Sequence, residues 1–106
     1  MEITFATDDA GIARCYPLMA QLRPHLSREA FLAAVRRMEA AHGYRVVQLE
    51  DGGELRALAG IRMGEWLHRG RYLEVDDLVT AEGGRSRGYG RALLGWIAEY
   101  ARAQGR

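Results

Sequence analysis

The sequence predicts one α/β domain of the α+β kind, with elements in the order β-α-α-β-β-β-α. Three observations predict it. Short runs such as "EITFAT" and "YRVVQLE" carry the patterning of strands. Longer stretches repeat their apolar residues at helical spacing. A chain of 106 residues, 48% of them hydrophobic and 27% charged, suits one hydrophobic core but not two. A single domain over residues 1–106 is therefore expected.

"EITFAT" alternates Ile3 and Phe5 with polar neighbours and predicts a short strand. Asp8 or Asp9 then offers a helix cap. Ile12, Cys15, Met19 and Leu22 follow at helical spacing, and Pro17 inside that pattern should kink or restart the helix. Pro24 ends it. Ser27 can cap a second helix, with Glu29 in its first turn complementing the positive end of the dipole. Phe31, Leu32, Val35 and Met38 mark the buried stripe, and Gly43 is a fitting stop. The period then changes. "YRVVQLE", the turn "DGG" and "ELRALAGIRM" predict a β-hairpin, because Asp51-Gly52-Gly53 tolerates positive φ. After "GEWLHRG" comes another strand, "RYLEVDDLVT". Tyr89 to about Gln104 places Leu93, Trp96, Ile97 and Tyr100 on one face of a last, amphipathic helix.

Net charge is +1, so the overall field favours neither nucleic acid nor a membrane surface as a partner. No apolar run approaches the length of a membrane span. "MEITFATDDAG" has no basic stretch followed by an apolar one, and the expectation is a cytoplasmic protein. Cys15 is the single cysteine, which excludes an internal disulfide and suits a small core side chain. His25, His42 and His68 have no metal-ligand spacing, so no metal is expected. Ser86 has no His/Asp pattern around it, so a hydrolase triad has no support.

The run "VTAEGGRSRGYGRALLGWIAEY" sets glycines and arginines between a strand and a helix. The first N–H groups of a helix lack internal partners, and the dipole is positive there. Glycines let the backbone close on a phosphate with no Cβ in the way. Arg85, Arg87 and Arg91 add positive charge at the same end, which suits a diphosphate. For an isolated Gly-x-Gly, a plain surface turn with solvated arginines is the simpler reading. Here the strand before and the helix after outweigh it. There is no Gly-Lys-Ser/Thr, which excludes a P-loop, and no G-x-G-x-x-G, which disfavours a dinucleotide fold.

Arg85-x-x-Gly88-x-Gly90, after a strand and opening an apolar helix, resembles the acyl-CoA signature Arg/Gln-x-x-Gly-x-Gly/Ala of the GNAT superfamily of N-acetyltransferases. The resemblance implies a mixed, mainly antiparallel sheet with flanking helices. It implies acetyl-CoA as cosubstrate, its diphosphate cradled by backbone N–H groups of Arg85, Ser86, Arg87, Gly88, Tyr89 and Gly90. Backbone groups of Leu78, Val79 and Thr80 would pair with pantetheine as a further strand, holding the thioester and polarising its carbonyl. The implied reaction is direct acetyl transfer to a primary amine of a small molecule or peptide, with no covalent enzyme intermediate. The alternative is a non-catalytic CoA-binding or self-associating module.

An amine must be neutral to attack a thioester, so the site needs a proton acceptor. "YLEVDD" offers Glu74, Asp76 and Asp77. Simple alternation puts Glu74 and Asp76 on one face and Asp77 on the other; a bulge of the kind the family carries in this strand would alter that. Glu74 precedes Arg85 by the interval at which histone-acetylating members carry their catalytic glutamate, which makes it the first candidate. The other reading of all three is solvated or substrate-pairing charge.

Relatives in that superfamily continue after this helix with a strand, a helix and usually a final hairpin, whereas this sequence ends in "ARAQGR". The expectation is a domain lacking its C-terminal third. The edge of 72–80 and the Trp96/Tyr100 face would then be covered by a homodimer, or by residues beyond Arg106. The substrate cleft of the superfamily is built in part from the helical segment corresponding to 22–37.

Overall fold

A computed structural model of the chain describes residues 1–81 and 88–106. Among the described residues eight elements follow one another: β1 (Glu2–Ala6), α1 (Asp9–Arg14), α2 (Tyr16–Leu22), α3 (Arg28–His42), β2 (Tyr44–Asp51), β3 (Glu54–Trp66), β4 (Gly70–Thr80) and α4 (Tyr89–Ala103). The strands form one sheet in the order β1-β2-β3-β4, and each neighbouring pair is antiparallel.

The helical boundaries follow local chemistry. Asp8 caps α1, its Oδ1 accepting from the Gly11 N–H at 2.7 Å. Pro17 restarts the helix as expected: α1 ends at Arg14 and α2 begins at Tyr16, with proline in its first turn. Ser27 caps α3 through the Ala30 N–H at 3.1 Å. Gly43 closes α3 at φ 66°, and a Cβ there would run into the Met63 carbonyl, so glycine is required twice over.

The sheet is covered on both faces. On one side α1, α2 and α3 bury Ile12, Cys15, Met19, Phe31 and Val35 against Val46 and Leu58. On the other, α4 lays Tyr89, Leu93 and Ile97 on Val47, Leu49, Ala57, Ala59 and Ile61. Trp96 packs at the edge of that second core, edge-on to Phe5 at 5.6 Å between ring centres. Cys15 is fully buried, and burial pushes its thiol up to about 11, so it is a core side chain and not a nucleophile.

β3 runs three residues past the hairpin strand that periodicity outlines, to Trp66. Trp66 stacks on Tyr72 across the strand pair at 4.6 Å, and Gly64 gives the Tyr72 ring its room. The register of β3 on β4 also shifts. Gly60 pairs with Asp77 while Ile61 pairs with Val75, so Asp76 is an extra residue in β4, a β-bulge.

Candidate active site

That bulge corrects the face assignment made from simple alternation. Asp76 and Asp77 are not on opposite faces: both line one cavity between α2, α3 and the inner ends of β3 and β4. Each is held by an arginine. Arg62 on β3 points Nε and Nη2 at Asp76 Oδ2, at 3.0 and 2.9 Å. Arg23, just past α2, points Nε and Nη2 at Asp77 Oδ1, at 2.9 and 2.6 Å. The Tyr44 hydroxyl donates to Asp77 Oδ2 at 2.8 Å. Burial first, and then the charge of Asp77, push the Tyr44 phenol well above its ordinary range, so it stays a protonated donor. The Arg62 guanidinium is held charged by its hydrogen bonds to Asp76 and by the charge of that carboxylate.

Glu74 is the register partner of Arg62, which puts it on the same face one step toward the hairpin end. It is exposed and lies outside the cavity lining. Among the described residues it makes no hydrogen bond and no ion pair, so its carboxylate is uncommitted. The three acids of β4 therefore share one face of the sheet, two of them engaged and one open.

Gly60 is the residue that lets this cluster close. A Cβ there would lie 2.6 Å from Tyr44 Cζ and 2.7 Å from Asp77 Oδ2. A glycine inside an apolar strand is the kind of sequence signal that marks a close approach. Arg23, Tyr44 and Arg62 carry no comparable signal. The three histidines behave as their positions suggest; His25, exposed between α2 and α3, also borders the cavity mouth.

The residues expected to hold a cofactor divide in two. Leu78, Val79 and Thr80 form the last part of β4, an edge strand paired only with β3 among the described residues. Its outer backbone groups are thus available for a further ladder. Gly88 sits at φ 77° as the first cap of α4. A glycine cap brings no side-chain acceptor of its own to the opening N–H groups of the helix. Gly90 lies against the end of β4, where a Cβ would make an ordinary contact with Thr80 Cγ2 at 3.4 Å. Arg91 is exposed. The Tyr89 side chain is structural. Its ring is buried and its hydroxyl donates to Asp51 Oδ2 at 2.7 Å, tying α4 to the β2–β3 turn. Arg85, Ser86 and Arg87 lie outside the described residues. Among the described residues no cluster of His, Cys, Asp or Glu could hold a metal ion, and no helix is long and apolar enough to cross a membrane.

Known proteins share this fold. Residues 12–106 match the profile described as the acetyltransferase (GNAT) family. The uncharacterized N-acetyltransferase YhdJ of Bacillus subtilis (strain 168) is 34% identical over 93 residues, 88% of this chain. The match spans 66% of that relative, just under two thirds of its length. A GNAT family acetyltransferase from Staphylococcus aureus superposes with a TM-score of 0.80 at 16% identity, over 97% of this chain and 78% of the other. A ribosomal-protein-alanine N-acetyltransferase from Brucella melitensis biovar Abortus gives 0.82 at 16% identity, over 99% and 75%. At such identities the superpositions establish the fold alone, and the profile together with the Bacillus relative establishes the family: the chain belongs to the GNAT family of acetyltransferases.

Proposed function

We propose that the protein is an N-acetyltransferase that moves the acetyl group of acetyl-CoA directly onto a primary amine. One observation carries this reading. The open edge of β4 runs toward the N-terminus of α4, whose cap is a glycine, and the cavity of Asp76 and Asp77 adjoins the same strand. A strand edge suits the amide-bearing pantetheine arm, and a helix start behind a left-handed glycine suits a diphosphate. Backbone groups of Leu78, Val79 and Thr80 would take the arm. Gly88, Tyr89, Gly90 and Arg91 would take the diphosphate, together with Arg85, Ser86 and Arg87.

In the reaction the amine nitrogen bonds to the thioester carbonyl carbon, the C–S bond breaks, and the electron pair leaves with sulfur. A proton must leave the nitrogen. Glu74 is the first candidate to receive it, directly or through water, because Asp76 and Asp77 already accept hydrogen bonds from Arg62, Arg23 and Tyr44.

Acetyl-CoA at a hundred times its Kd should stabilise the full-length protein by about 2.7 kcal/mol, visible as a rise in melting temperature. Gly88→Asp sets a carboxylate where the diphosphate is to bind and should abolish the rise. No rise at saturating acetyl-CoA sinks the reading. Glu74→Gln should lower thiol release by about a hundredfold while leaving acetyl-CoA binding intact, with partial recovery at higher pH as more amine is neutral. Undiminished turnover would move the base to Asp76, Asp77 or a water chain.

A further inference from the structure

We infer that the acceptor is a monoamine with an apolar body of about phenyl size, seated in the cavity between α2, α3 and the inner ends of β3 and β4. The inference rests on the acetyl-transfer reading and names the substrate class for it.

The cavity measures about 620 Å³, within the usual range for small-molecule sites. Its body is apolar: Met19, Leu26, Phe31, Ala34, Val35 and Met38 line it. Four of these six lie on α3 at spacings of three and four, so one face of that helix forms a wall. Ala34 is the short residue between Phe31 and Met38, and the room it leaves is flanked by an aromatic ring and a thioether. The thioethers of Met19 and Met38 adapt to the shape of a guest and contact aromatic rings favourably. Sugar hydroxyls would find no partners along this wall, and leaving them unpaired is costly.

Apart from His25 at the mouth, the polar groups gather beside β3 and β4, and their charges set how many ammonium groups fit. Asp76 and Asp77 carry two negative charges; Arg62 and Arg23 answer them one for one. Both Asp77 oxygens accept hydrogen bonds, Oδ1 from Arg23 and Oδ2 from Tyr44. Arg62 takes only Oδ2 of Asp76. Among the described residues, Asp76 Oδ1 is the one carboxylate oxygen of the cavity without a donor. It can receive one ammonium. Inside the cavity a second cationic centre on the guest would lie against apolar carbon or face Arg23 and Arg62, because Glu74, the other open carboxylate of β4, lies outside the lining. A polyamine is therefore disfavoured, and an aryl- or alkyl-amine with a single ammonium fits.

The four methionines supply a direct test, since Met19 and Met38 line the cavity while Met1 is exposed and Met63 packs on the α4 side. Full-length protein with ¹³C-labelled methionine methyls is titrated with 2-phenylethylamine, both free and saturated with CoA. The signals of Met19 and Met38 should move and those of Met1 and Met63 should not. Spermidine and glucosamine should need at least tenfold higher concentration. Ala34→Phe, which fills the gap, should weaken 2-phenylethylamine at least tenfold. Asp76→Asn should weaken 2-phenylethylamine by a similar factor but leave 2-phenylethanol, which lacks the charge, little changed; this second variant decides the matter if Ala34→Phe does not fold. Unmoved Met19 and Met38 signals in both states overturn the inference, as does spermidine or glucosamine equalling the arylamine. Failure of acetyl-CoA to raise the melting temperature is a separate result that overturns the acyl-transfer reading instead.

Discussion

The two faces of the sheet are built to different standards. Under α4, Val47, Leu49, Ala57, Ala59, Ile61, Leu93 and Ile97 meet with apolar contact and almost no exposure. Under α2 and α3, the same strands start as a dry core at Val46 and Leu58 but open toward β4 into a cavity holding two aspartates and two arginines. Close packing maximises stability, whereas a site needs unfilled volume and partly hydrated charge. β4 contributes to both faces. Leu73 packs toward α4, and the bulge at Asp76 turns two successive acids toward the cavity. Substitutions on the two faces should therefore differ in kind.

The largest effect on stability is expected on the α4 side. Leu93 is fully buried, and Leu93→Ala removes apolar contact from a site with little freedom to collapse. A loss of about 2–5 kcal/mol is expected by urea denaturation, with the affinity for an amine in the cavity nearly unchanged. Met38→Ala, bordering a cavity that already exists, should cost less and should weaken amine binding instead. If the two costs proved equal, the contrast between the faces would be broken.

Two glycines sharpen the contrast because they predict opposite signs. Gly60→Ala puts a methyl group against Tyr44 and Asp77 and must displace them. Overpacking of this sort costs about 1–3 kcal/mol, and the Tyr44–Asp77 hydrogen bond should go with it. Gly95 lies on the exposed side of α4, and among the described residues a Cβ there meets nothing within 4 Å. Gly95→Ala should therefore raise stability by about 0.5–1 kcal/mol through helix propensity alone. Melting curves on the pair check both. A destabilising Gly95→Ala would mean that the outer face of α4 is covered in solution.

Much of this was legible in the sequence because it is local. Asp8, Pro17, Ser27 and Gly43 set their helix boundaries through partners a few residues away. The stripe of Leu93 and Ile97 followed from period alone. What escaped depends on distant pairing. Arg23 and Asp77 are 54 residues apart and Tyr44 and Asp77 are 33 apart, so nothing near Arg23 or Tyr44 announces the contact. The bulge at Asp76 is anticipated only through the family resemblance; it is a property of how β3 and β4 register, and alternation along one strand cannot contain it. The extension of β3 to Trp66 likewise depends on Tyr72 across the hairpin.

The smallest expected effect lies where the α4 face meets the candidate diphosphate site. The Tyr89 hydroxyl bonds to Asp51, and this, against some opposing desolvation, holds the Asp51 carboxyl below its usual range. The folded value is depressed because the fold offers the charged form a better partner than water does. The stabilising contribution is fully present above the unfolded value of about 3.9 and is lost as pH falls through the lower folded value. Asp51→Asn keeps the shape but removes the charge. Wild type should exceed the variant in stability near pH 6, and the gap should narrow progressively as pH drops below about 4. Because Asp51 is the last residue of β2 and Tyr89 is the first residue of α4, the same variant should loosen the start of that helix. Acetyl-CoA affinity should then fall slightly at neutral pH in Asp51→Asn. A stability gap that stays constant from pH 6 to about pH 2.5, below the unfolded carboxyl value, would show that Tyr89 gains nothing from the charge. In that case the charge of Asp51 adds nothing at this end of α4, where the Tyr89 hydrogen bond and the burial of its ring remain.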